Sequence, residues 1–158
     1  MASDSPTSPD EELNPDDPGD DTARRYRFQW TWAAISCCAM LDNTEDVVEI
    51  LCEHHEDVLL KHRDGKFSGH QIKTRESDQP VWKASDDPVK QSMARFVQLD
   101  VAYPDYFRSF KFLTSHPLHA ADNAKSLPFV LSEIAKAPTL ADLPSTVSKW
   151  LRGVAKAA

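Results

Sequence analysis

The chain has 158 residues, 41% hydrophobic and 27% charged, with a formal net charge of −7. That length predicts one domain with a core of its own, and no apolar run reaches the roughly 18 residues of a membrane span, nor does a secretory signal open the chain. The three cysteines, Cys37, Cys38 and Cys52, are odd in number, and two adjoin within an apolar pattern. They predict buried thiols in a reducing compartment, the cytoplasm, rather than a disulfide framework.

The charge is unevenly placed. Residues 1–22 hold eight acids and no Lys or Arg, which leaves 17 acids against 18 basic residues in the remainder. This Pro-, Ser- and acid-rich leader buries too little apolar surface to offset its ordering entropy and is expected to be disordered. Residues 23–158 are the expected folded domain. Its near-neutral body neither demands nor excludes nucleic acid.

From Arg24 a helical pattern begins. Tyr26, Trp30, Ala33, Ala34, Cys37, Cys38 and Leu41 recur with helical spacing, which predicts a buried stripe on a helix of about four turns that ends at Asp42-Asn43. Gln29 lies beside that stripe. The next segment, "TEDVVEILCEHHEDVLLKH", fits a helix by local propensity or two strands by its apolar cores at 47–52 and 58–60. The turn signal "HRDGKF" and the strand-like "FSGHQIKT" beyond it require a partner strand, which decides for strands. Residues 75–87 read as a loop. Asp87-Pro88 starts a helix with Val89, Met93, Phe96 and Val97 as its stripe, and "SFKFLTSH" is a further strand. Helices then start near Ser126 and Ser145. The expected order is α-β-β-β-α-β-α-α, an α/β fold with a mixed sheet flanked by helices.

The hairpin holds the chemistry, and its register decides whether that chemistry assembles. With a two-residue loop, Asp57 faces away from Gln71 and Lys73. With the three-residue loop Arg63-Asp64-Gly65 and a left-handed Gly65, His62 pairs Lys66 and Asp57 falls opposite Gln71, with Lys73 on the same face. An aspartate, an amide oxygen and a lysine so placed suit Mg²⁺, with Mn²⁺ as a substitute, held by Asp57 and Gln71. The ion would activate water and stabilise a phosphodiester under attack, and Lys73 would serve that water or the phosphate. Because an amide ligates weakly, support from Glu53, Glu56 or Gln29 is expected.

The stretch "EHHEDVLLKHRDGKFSGHQIK" resembles the D…(D/E/Q)-x-K motif of the PD-(D/E)xK nuclease superfamily, the restriction-endonuclease-like fold. With "YRFQWTWAA", "EDV", "QIKTRE" and "SFKFLTSH", the chain over roughly residues 24–137 is similar to a narrower group. That group is the nuclease domain of CD-NTase-associated effectors and related bacterial anti-phage proteins. The resemblance implies a metal-dependent endonuclease cutting double-stranded DNA in anti-phage defence, with Asp57, Gln71 and Lys73 as the motif residues. It implies Gln29 as the polar residue of the first helix and Glu53 as an upstream acid. It also implies self-association for duplex cutting, through the Trp-rich first helix or the C-terminal helices. The sequence departs from the group in carrying Glu56 where Pro precedes the aspartate. It departs again in that no sensor or NTPase region follows residue 158, which implies a fragment or a stand-alone module. The rival reading is an inactive binding or scaffolding module, motivated by Gln71 in place of a carboxylate.

The remaining marked residues have plainer expectations. His54 and His55, neighbours on a strand, would point to opposite faces and make a poor metal pair. His70 would be a surface or DNA-proximal residue, and Trp30, Trp32 and Trp150 would pack in a core or an interface. Trp82 would anchor its loop in preference to stacking on nucleic acid.

Overall fold

The computed structural model describes residues 18–42 and 46–157, so the first 17 residues of the acidic leader lie outside it. Helix α1 spans Pro18–Leu41 and begins six residues before the helical pattern at Arg24, with a proline at the position where a missing N–H costs nothing. Strands β1 (Val47–Cys52), β2 (Val58–His62) and β3 (Phe67–Lys73) follow. Helix α2 (Asp87–Ala102), β4 (Phe107–Thr114), α3 (Leu127–Lys136) and α4 (Ser145–Ala155) complete the order, with a 3₁₀ turn at Leu140–Asp142. The α/β class and the expected order hold.

The sheet runs β1-β2-β3-β4, with β1–β2 and β2–β3 antiparallel and β3–β4 parallel. A parallel pair needs a long crossover, and residues 74–106, with α2 inside them, supply it. Each sheet face has its own core. On one side Val47, Val58, Leu60 and Ile72 pack against Phe28, Trp32, Ala33 and Met40 of α1. On the other, Phe110 and Phe112 of β4 pack with α2, α3, α4 and Trp82. Coverage of both faces explains why β2 is buried at every residue but Lys61 and why no residue of β3 is fully exposed.

Two expectations about α1 and α2 fail at the level of faces. The expected α1 stripe is largely on the outside: Trp30 is 62% and Leu41 75% exposed, and Cys37 and Cys38 are exposed, as is Cys52. The helix docks instead through Phe28, Trp32, Ser36 and Met40, at i, i+4, i+8 and i+12. Apolar side chains surround most of this helix, so periodicity did not select one side. The two bulkiest groups that fit over β2 and β3 did. In α2, Val89, Met93 and Phe96 are buried as expected, but Val97 is exposed.

The loop after β3 is fastened by Trp82, which is 4% exposed. Its N–H donates to Pro117 O (2.9 Å), its carbonyl accepts from His119 N (2.7 Å), and the Arg75 guanidinium lies 3.5 Å above its ring. Trp82 is the loop anchor. Trp150 is buried and donates from Nε1 to Ala84 O at 2.7 Å.

Candidate active site

The turn after β2 sets the site. His62 N–H donates to Lys66 O (2.8 Å), Gly65 N–H donates to His62 O (2.9 Å), and Gly65 has φ +82°. This is the three-residue loop with a left-handed glycine, a conformation that costs an L side chain about 1–2 kcal/mol. Asp64 closes it by accepting from Lys66 N (2.9 Å), and Arg108 of β4 holds the same carboxylate from outside (2.8 Å). Pairing proceeds through Lys61↔Phe67, Leu60↔Ser68, Leu59↔Gly69 and Val58↔His70. One step further, Asp57 lies opposite Gln71.

The contact is direct. Gln71 Nε2 donates to Asp57 Oδ2 at 2.5 Å, and Ile72 N–H donates to the same oxygen at 2.6 Å. Among the described residues Asp57 Oδ1 accepts no hydrogen bond, so the carboxylate is fixed through one oxygen and leaves the other available. Asp57 and Lys73 line an open cleft of about 540 Å³ together with Gln29, Glu53, Tyr26 and Trp82. Four of the five residues expected from sequence thus face one cleft, and the fifth, Gln71, grips Asp57 at its edge.

Gln29 and Glu53 arrive by different routes. Gln29 sits on the inner side of α1, and its Oε1 is buried without a hydrogen-bond partner among the described residues. Glu53 follows β1 in the left-handed region, φ +53°, and its N–H donates to Asp57 O (3.2 Å). The segment 53–57 is therefore a closed turn and not a strand continuation. That overturns the expectation that His54 and His55 point to opposite faces: their rings lie 4.5 Å apart, on the same side of the turn.

Three residues beneath the site carry more weight than the sequence suggested. Arg95 of α2 donates to His55 O (3.0 Å) and lies 3.7 Å from Glu56, pinning the turn to the helix. A link across 40 residues leaves no local signal. Glu56 is buried, and among the described residues neither of its oxygens has a hydrogen bond. Burial pushes its carboxyl up to about 7, with Arg95 opposing and Asp57 adding to the rise. His70, expected at the surface, is 1% exposed. Its Nδ1 accepts from Trp32 Nε1 at 3.0 Å, and burial, then Lys111 and His62, lower its pKa to about 4.

The fold is an α/β domain whose mixed sheet, flanked by helices, brings an aspartate, an amide and a lysine together at one end. Residues 17–157 match the family described as "Cap4, dsDNA endonuclease domain", and the chain belongs to that family. It is a DNA endonuclease domain of the CD-NTase-associated effectors of anti-phage defence. No curated protein and no solved structure matches it. Among the described residues no helix is long and apolar enough to cross a membrane.

Proposed function

We propose that this domain hydrolyses phosphodiester bonds of double-stranded DNA with a divalent ion, Mg²⁺ with Mn²⁺ as substitute, and does so in the cytoplasm. The observation that carries this reading is the register: Asp57 bonded to Gln71, with Lys73 in the same cleft. Among the described residues no three His, Cys, Asp or Glu side chains form a metal cage. The donors at hand are oxygens: Asp57 Oδ1, the amide oxygens of Gln71 and the orphaned Gln29, and the Glu53 carboxylate. A small set of oxygen donors with open positions suits a hard cation that keeps several waters. When bound, the ion supplies a water of lowered pKa and offsets charge on the phosphate.

The chain's own residues do the rest. Gln71 and the Ile72 N–H orient Asp57 by holding Oδ2, so Oδ1 is presented without a search over rotamers. Lys73 brings a point charge to a phosphate oxygen or orients the attacking water. Glu53 is positioned by the turn that Arg95 fastens to α2. Duplex cutting by paired copies is part of the same reading, with the aromatic side of α1 as the contact, and a regulatory sensor or NTPase region or chain would drive that pairing.

Plasmid DNA incubated with Mg²⁺ or Mn²⁺ and the chain, at concentrations high enough to force self-association in place of activation, should be cut, and Asp57→Ala or Lys73→Ala should reduce cutting by about 10²–10³-fold. The ion should raise the melting temperature of the wild type and not that of Asp57→Ala. Cutting that persists in EDTA, or in both variants, rejects the assignment.

A further inference from the structure

We infer that an aromatic pocket beside the catalytic cleft takes a nucleobase of the DNA strand, turned out of its stack about two nucleotides from the scissile phosphate. The inference rests on the cleft being catalytic. The pocket is a concavity of about 560 Å³, floored by Leu59, Phe67 and Phe107 and walled by His54, His55, Tyr103 and Tyr106. The wall is a chain of rings: His54 and His55 at 4.5 Å, then His55 and Tyr103 at 5.3 Å. Tyr103 is 41% and Tyr106 58% exposed, large aromatic surface left open to a ligand. Lys61 and Glu49, 3.3 Å apart, also line it. A flat ligand with apolar faces and hydrogen-bonding edges fits that combination of rings and charged groups, and DNA supplies one at every nucleotide.

Position selects the base over other flat ligands. The turn 53–57 is the wall common to cleft and pocket: Glu53 and Asp57 line the cleft, while His54 and His55 line the pocket. Along β2 the pocket begins at Leu59, two residues from Asp57. That is about 7 Å of strand, or roughly two nucleotides of rise along a DNA strand. A strand whose phosphate sits at Asp57 and Lys73 would meet the near lip at His54, His55 and Leu59 first, with Phe67 and Tyr106 further along, beside Lys61.

The test is photo-crosslinking. The Lys73→Ala chain would be mixed in Mg²⁺ with a duplex carrying 5-iodouracil for every thymine, irradiated, digested and mapped by mass spectrometry. Adducts on Tyr103, Tyr106, His54 or His55 are expected, falling about tenfold when Tyr106→Ala is added. That residue is exposed enough to be replaced without loss of the fold. Adducts confined to Tyr26 or Trp82 would keep DNA in the cleft and overturn the pocket. Adducts nowhere, or unchanged by Tyr106→Ala, overturn it too. Sequencing the ends left by the wild type should show a base bias about two nucleotides from the cut, flattened in Tyr106→Ala. An unchanged bias, or none, counts against the pocket. Metal-dependent cutting without pocket adducts overturns the pocket alone, whereas pocket adducts with no metal-dependent cutting overturn the nuclease reading and, with it, a base held beside a scissile phosphate.

Discussion

Glu56 and His70 are buried ionisable side chains that pull stability in opposite directions with pH. Burial raises the Glu56 carboxyl from 4.5 to about 7, so the folded chain binds its proton more tightly than the unfolded chain does. Its contribution is intact below about pH 4.5 and is lost as pH rises through 7. Glu56→Gln keeps the shape without the charge and should raise the melting temperature by about 3–6 °C at pH 8 and hardly at pH 5, as read by circular dichroism. Equal shifts at both pH values would mean that the charge is not the cost. His70 has its pKa lowered from 6.5 to about 4, so its contribution is present above pH 6.5 and lost as pH falls toward 4. A buried imidazolium there would also repel the indole N–H of Trp32. Acid unfolding should therefore steepen between those values, and less so in His70→Gln. An identical acid limb in that variant would assign the acid sensitivity to other groups.

Among the elements, the β2–β3 hairpin determines whether there is a site at all. Gly65→Ala meets no atom within 4 Å of the added Cβ, yet must hold φ +82°, so its cost is conformational, about 1–2 kcal/mol in urea denaturation. Removing Arg63 instead leaves a two-residue loop that slides the strands by one residue and turns Asp57 away from Gln71 and Lys73. That deletion should abolish cutting and the metal-induced rise in melting temperature together. Full activity in the deletion would show that Asp57 and Lys73 need not share a face. Gly69→Ala fails for another reason. Its Cβ would stand 2.9 Å from Phe110 Cδ1 and 3.2 Å from Glu56 Cγ, pressing on both the second core and the turn that carries Asp57. It should destabilise more than Gly65→Ala in the same titration, and the reverse order would mean that Phe110 yields easily.

At the scale of the whole molecule, one side of α1 is left open by the packing among the described residues. Tyr26 and Trp30 stack with centroids 5.8 Å apart, and Ile35 and Leu41 extend the exposed apolar side of the helix. If paired copies cut the duplex, sedimentation velocity should show concentration-dependent association of the wild type. Trp30→Glu should stay monomeric and nick plasmid without linearising it. A variant that linearises as a monomer would remove α1 from the assembly.

The sequence by itself determined the elements, their order and which side chains come together at the candidate site. Its signals there are local: Asp64-Gly65 marks a turn, Asp87-Pro88 a helix start, and the Gln71-x-Lys73 spacing one face of a strand. It narrowed the register to two choices, and the Asx bond of Asp64 with the Arg108 clamp from β4, 44 residues away, made the selection. Tertiary structure alone decided which side of α1 is buried, because Phe28 and Trp32 compete with an equally apolar stripe and the sheet surface accepts only one. It alone made 53–57 a turn, put His54 and His55 on one wall, and buried His70 under Trp32. Those outcomes depend on contacts between segments far apart in the chain, where side-chain shape and the need to pair buried polar atoms outweigh local pattern.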